Sequence, residues 1–175
     1  AADNASEGQR RILGSAQPLF TYGWNNVIRW KDLDISVFFR GVVGNKVLNL
    51  TRMAYGPQAS VGSNIFMKDI VNKHPMTGKI EYTNKSQFTD FYLEDGSYLK
   101  LDNLTVGYTF KMKETNKYIK SLRVYLTGQN LLTITKYSGM DPEINTTSVW
   151  NAGIDYCDFY PTVSTVMFGL NISFK

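Results

Sequence analysis

Cysteine and histidine are almost missing from this chain, with one of each, Cys157 and His74, in 175 residues. A lone thiol excludes an internal disulfide framework, and one thiol plus one imidazole is too few nitrogen and sulfur ligands for a zinc site of the usual kind. Long apolar runs are missing as well. The longest, such as Val37 to Phe39, fall far short of the roughly 20 residues a transmembrane helix requires. Charge is scarce at 19%, and the net +4 is spread in sequence order through loops and turns, so a nucleic-acid-binding stripe is not implied. The start, Ala1-Ala2-Asp3-Asn4-Ala5, has neither a basic n-region nor an apolar h-region nor an initiator Met, and so reads as mature or as cut from something longer. Hydrophobic residues at 43% and aromatics at 14% rule out a disordered chain, and the length suits one domain.

The abundant residues are ordered. Five segments, about 21–30, 33–44, 98–110, 121–131 and 165–174, are rich in aromatic and β-branched residues and alternate with period two, which predicts strands. Leu122, Val124 and Leu126 alternate with Arg123, Tyr125 and Thr127. Val166, Phe168, Leu170, Ile172 and Phe174 alternate with Met167, Gly169, Asn171 and Ser173. The second segment sets Leu33, Ile35, Val37, Phe39 and Val43 against Asp34, Ser36 and Arg40, with Phe38 and Val42 as faults on the polar side. In the third, Leu99 and Leu101 are out of phase with Leu104, Val106, Tyr108 and Phe110, as an inserted residue near Asp102-Asn103 would cause, so a bulge or a separate extended stretch is expected there. A short helix from about Asn64 to Lys73, capped by Ser63 and stopped by Pro75, is expected in the long middle loop. The polar Ala1 to Pro18, with Arg10-Arg11, reads as a loop leading into the first strand.

Connections alternate short and long: Lys31-Asp32, then Asn45 to Ser97, then Lys111 to Lys120, then Leu132 to Ser164. Short turns at one end and long loops at the other are the habit of outer-membrane barrels. Trp30, Tyr108, Phe110 and Phe174 are expected on the apolar face at one level near the turn end, where an interfacial aromatic girdle belongs. A soluble β-sandwich, with the same greasy face turned inward and loop aromatics recognising glycans, is the alternative reading. Five strands cannot close a barrel, since about eight is the smallest closed size, and open edges in lipid would leave backbone groups unpaired. The chain is therefore expected to be a piece of a larger barrel, to associate with its own copies, or to be a soluble sheet.

The stretches Arg11-Ile-Leu-Gly-Ser-Ala-Gln-Pro18 with Phe20-Thr-Tyr-Gly23, Leu33-Asp-Ile-Ser-Val-Phe-Phe39, and Glu94-Asp-Gly-Ser-Tyr-Leu-Lys-Leu101 with Leu104-Thr-Val-Gly-Tyr-Thr-Phe110 resemble the C-terminal end of the SusC/RagA family. So do Leu122-Arg-Val-Tyr-Leu-Thr-Gly-Gln-Asn-Leu131, Tyr137-Ser-Gly-Met-Asp-Pro-Glu143 and Phe168-Gly-Leu-Asn-Ile-Ser-Phe174. These are TonB-dependent outer-membrane transporters of Bacteroidetes. The resemblance implies an all-β fold, the last five antiparallel up-and-down strands of a 22-stranded transmembrane barrel with long extracellular loops. The family's plug and TonB-contacting segment have no counterpart in these residues, and Lys175 follows Phe174 where the family commonly ends on an aromatic. The implied lipid-facing residues are Leu33, Ile35, Val37, Phe39, Leu104, Val106, Leu122, Val124, Leu126, Val166, Phe168, Leu170 and Ile172. Polar residues such as Arg40, Arg123, Tyr125 and Gln129 would line the wall or touch the plug. Implied partners are a SusD-like lipoprotein lid, TonB through the plug, outer-membrane lipid, and an oligosaccharide or peptide substrate; no cofactor and no catalysed reaction are implied.

Loop residues admit sharper readings. Tyr137, Trp150, Tyr156, Phe159 and Tyr160 could stack on sugar rings or meet a lid, or pack the loop against itself. Asp141, Glu143, Asp155 and Asp158 lack ordered calcium-loop spacing and read as a solvated acidic loop. Asp90, Glu94 and Asp95 read as loop-ordering acids, because glycoside hydrolysis needs two carboxyls facing each other across a sugar. His74 reads as a solvated helix-end residue and Cys157 as a loop thiol without a base. The triplets Asn103-Leu-Thr105 and Asn171-Ile-Ser173 lie in strands and read as chance.

Overall fold

The computed structural model describes residues 12–55, 90–112, 118–144, 151–156 and 160–175. The helix expected over Asn64 to Lys73, His74, Cys157, Asp158, Trp150 and Phe159 lie outside the described residues. Two compact units emerge, and each is taken by itself.

The larger is one five-stranded antiparallel sheet, in the order β1 (Phe20–Trp30), β2 (Leu33–Val43), β5 (Tyr98–Lys111), β6 (Ile119–Thr135), β8 (Thr165–Phe174). Neighbours in sequence are neighbours in space, as an up-and-down sheet requires. Lys31, with φ 55°, closes the tight β1–β2 turn. Direct pairing carries one face across the sheet: Ile28 opposes Ile35, which opposes Val106, which opposes Leu126, which opposes Phe168. Because the side-chain period is two, the apolar sets of all five strands share that face and the polar sets share the other.

Two irregularities explain where alternation falters. Opposite Phe38 and Phe39 the β5 register slips between Leu101 and Asn103, so Asp102 is the inserted residue and Leu99 and Leu101 return to the apolar face. On β6 the same slip passes over Asn130, at φ 51°, and Leu131, two residues together, so parity is kept and Leu132 and Ile134 stay on that face. β6 continues to Thr135, past the expected end at residue 131. Where aromatic and glycine are cross-strand partners, the ring covers the bare backbone: Tyr22 lies over Gly41 and Tyr125 over Gly169, and an added Cβ would run into either ring.

The smaller unit lies within the long connections, where the sequence shows no alternation. A three-stranded sheet in the order β4 (Leu93–Asp95), β3 (Lys46–Asn49), β7 (Ile154–Asp155) mixes antiparallel and parallel pairing. A short helix, α1 (Leu50–Tyr55), follows β3. Asn49 caps it, since its Oδ1 accepts from the Arg52 N–H at 2.8 Å. The Asn49 Nδ2 donates to Glu94 Oε1 at 3.3 Å, and Arg52 reaches the same oxygen at 3.2 Å. Val47 and Tyr92 are buried beside this polar cluster. Among the described residues no helix is long and apolar enough to cross a membrane, which leaves crossing by strands open.

Candidate functional site

The sheet has two working surfaces. All thirteen residues expected to face lipid, from Leu33 to Ile172, share the apolar face by register, as do Trp30, Tyr108, Phe110 and Phe174. That face also carries Phe20, Tyr22, Trp24 and Ile28, which a sequence reading passed over because Asn26 interrupts the β1 row. Phe168, Leu170 and Leu126 are more than half exposed on it, with no second layer of described residues to cover them.

The girdle aromatics do not fall on one register row. Trp30 and Tyr108 share a row through Leu33; Phe110 lies one row nearer the turns, and Phe174 one row beyond that. The line through them therefore advances about one residue, 3.3 Å, per strand spacing of about 4.8 Å, an angle of about 35° to the perpendicular rows. Barrel strands tilt by roughly 35–45° from the membrane normal, so such a line runs level in a membrane.

On the polar face, charge is paired across strands. Arg123 on β6 reaches over β5 to Asp34 on β2 in a two-pronged ion pair, Nε to Oδ1 at 3.0 Å and Nη2 to Oδ2 at 2.5 Å. Gly107 permits the crossing: a Cβ there would stand 2.6 Å from the guanidinium and 2.8 Å from the carboxylate. Nearer the loops Arg40 donates to the bulged Asp102 at 2.7 Å and to the Tyr98 hydroxyl at 3.3 Å. Thr105 and Thr127 share a hydroxyl hydrogen bond at 2.9 Å. An open cavity of about 520 Å³ near the turn end is lined by Arg29, Asp34, Thr109, Lys111 and Arg123 among others.

At the loop end, Lys100 is fully buried, its ammonium 3.5 Å from Asp141 Oδ1 and 3.0 Å from the Thr162 hydroxyl oxygen. Asp141 also accepts from the Thr162 N–H at 2.9 Å and from its hydroxyl. One strand residue thus pins two segments of the last long connection. Asp141, read from sequence as part of a solvated acidic loop, is only 4% exposed. Tyr137 is 6% exposed and packs its loop rather than offering a face, whereas Tyr160 is 79% exposed and Tyr156 40%. The Lys100–Asp141 pair carries no sequence signal, being joined across 41 positions by a loop that folds back.

No family model matches the chain. It is 36% identical over 181 residues to TonB-dependent receptor P3 of Formosa agariphila, an alignment covering 97% of the chain and 18% of that protein. It is 36% identical over 88 residues to TonB-dependent receptor SusC of Bacteroides thetaiotaomicron, covering 49% of the chain and 8% of SusC. Among solved structures, the RagAB peptide transporter superposes with a TM-score of 0.78 and 26% identity over 97% of the chain and 19% of the matched chain. The chain thus spans about a fifth of the length of the relatives it matches most fully.

An amphipathic antiparallel sheet with this match belongs to the barrels of TonB-dependent receptors, which are outer-membrane proteins. Within that class the chain belongs with the SusC/RagA family.

Proposed function

We propose that the chain forms part of the wall and extracellular mouth of a SusC-like nutrient importer, as the last five strands of a 22-stranded barrel. The level line of aromatics on an otherwise apolar, exposed face is the observation that carries this reading. The apolar rows from Leu33 to Ile172 face lipid, Trp30, Tyr108, Phe110 and Phe174 lie at the interface beside the turns, and the Arg123–Asp34 and Arg40–Asp102 pairs face the lumen. Short turns then face the periplasm and long connections the outside. The plug that receives TonB lies elsewhere in the full-length protein. The mouth meets a SusD-like lipoprotein lid, and the cargo is an oligosaccharide or peptide; the likeness to a peptide transporter supports the peptide class. This segment catalyses no reaction: it contributes wall, luminal lining and loop anchoring.

The test is a pair of substitutions in the full-length protein. On β6 the girdle line crosses near Ser121. Leu126 is five residues further on, about 13 Å along the membrane normal at the tilt above, the midplane of an apolar band about 25 Å tall. Leu126→Arg is expected to cost about 2–4 kcal/mol of barrel stability and Gln129→Arg, on the polar face, much less. Folding is read as the heat-modifiable gel shift and the urea midpoint in lipid. Equal tolerance of both changes would mean that the faces are assigned wrongly.

A further inference from the structure

Sequence order scatters the surplus of positive charge, but strand register gathers it at the turn end of the sheet. Arg29, Lys31, Lys111, Lys120, Arg123 and Lys175 meet there with Asp32 and Asp34. Arg123 occupies Asp34, and Lys111 lies 2.6 Å from Asp32. Arg29, Lys31 and Lys120 make no ion pair among the described residues. At the opposite end of the same sheet the cations Arg40 and Lys100 each have a carboxylate.

Lys31 and Lys120 stand beside the aromatic line. Lys31, in its left-handed turn, holds its ammonium 5.4 Å over the ring of Trp30, which is 66% exposed on the apolar face. Lys120 is the bulged residue next to Ile119, the cross-strand partner of Phe174. Arg29, by parity, stands on the polar face. If the aromatics mark the interface, Lys31 and Lys120 sit where phospholipid phosphates lie.

We propose that Lys31 and Lys120, with Trp30 and Phe174, form a docking rim for anionic glycerophospholipids in the leaflet next to the turns. The ammonium groups pair with the lipid phosphates while the rings lie among the glycerol and upper acyl carbons. Continuity with an apolar face selects lipid over an acidic protein surface, because a protein partner would not need exposed rings directly above the cations. A basic residue near an anionic membrane surface is worth a factor of about five in binding. The inference rests on the membrane-wall reading.

The experiment uses the full-length transporter in nanodiscs of equal phosphatidylglycerol and phosphatidylcholine, with retained lipids counted by native mass spectrometry after gentle release. The wild type should retain phosphatidylglycerol preferentially. Lys31→Gln with Lys120→Gln should lower that preference about fivefold per lysine, the paired arginine substitutions should keep it, and Arg29→Gln should leave it unchanged. No preference in the wild type, or an undiminished one in the glutamine variant, overturns the rim and leaves the cations to an acidic protein face. An equal loss in Arg29→Gln overturns it in favour of diffuse charge. Each variant is first shown to run as a folded barrel on a heat-modifiable gel. A barrel that inserts normally but shows no preference sinks the rim alone, whereas failure of the membrane reading appears in the Leu126→Arg test.

Discussion

Replacing Lys100 with Met should free the last long connection without unfolding the sheet. The ammonium is fully buried and its partner Asp141 nearly so. Removing one member of a buried pair leaves an uncompensated charge and typically costs about 3–5 kcal/mol. Two features put this case at the lower end. The Nζ–Oδ1 distance of 3.5 Å is long for an ion pair, and Asp141 keeps both bonds from Thr162. A local cost of about 3 kcal/mol raises the open population of the pinned segments roughly 150-fold. Hydrogen exchange on the full-length protein reads this directly. Amides over 137–141 and 162–164 should lose about two decades of protection while β5 and β6 keep theirs. Asp141→Asn should weaken the same segments, and the double variant should lose less than the two single effects combined, with a coupling on the order of 1 kcal/mol or more. Unchanged exchange in Lys100→Met, or loss spread evenly through the strands, would refute the idea that this pair anchors the loops.

Two further substitutions probe the sheet. Gly107→Ala should push apart the Arg123–Asp34 pair that crosses above it and lower barrel stability by about 1–3 kcal/mol, as an overpacked site does, measured by the urea midpoint in lipid; no change would mean that the two flexible side chains re-route freely. Asn26→Leu fills the polar gap in the apolar row of β1, where Asn26 opposes Val37, and should leave folding unchanged or raise stability by up to about 1 kcal/mol. A marked loss would show that the amide has a partner on the strand that completes the β1 edge.

Sequence alone determined the strands, because period-two alternation of β-branched and aromatic residues is a local property that survives without neighbours. It also determined which side of the four later strands is apolar. Even the β5 bulge was legible, since Leu99 and Leu101 sit one residue out of phase with Leu104. The extension of β6 was not, because Gly128, Asn130 and Leu131 break the apolar-polar alternation before Leu132 and Ile134 resume it on the same parity. The small sheet and its Asn49-capped helix were hidden for a related reason: strands of two to four residues are too short to show a period. What only the tertiary structure decided are the relations between distant residues. Register tilted the aromatic line by about 35°, brought Arg123 over Gly107 to Asp34, and folded Asp141 back onto Lys100. The same register turned a charge surplus of +4 that looks dispersed along the chain into a basic end of one sheet. Cross-strand pairing is set by loops and hydrogen-bond ladders between segments as distant in sequence as Leu48 and Ile154, and no local pattern encodes which of the possible partners a side chain will meet.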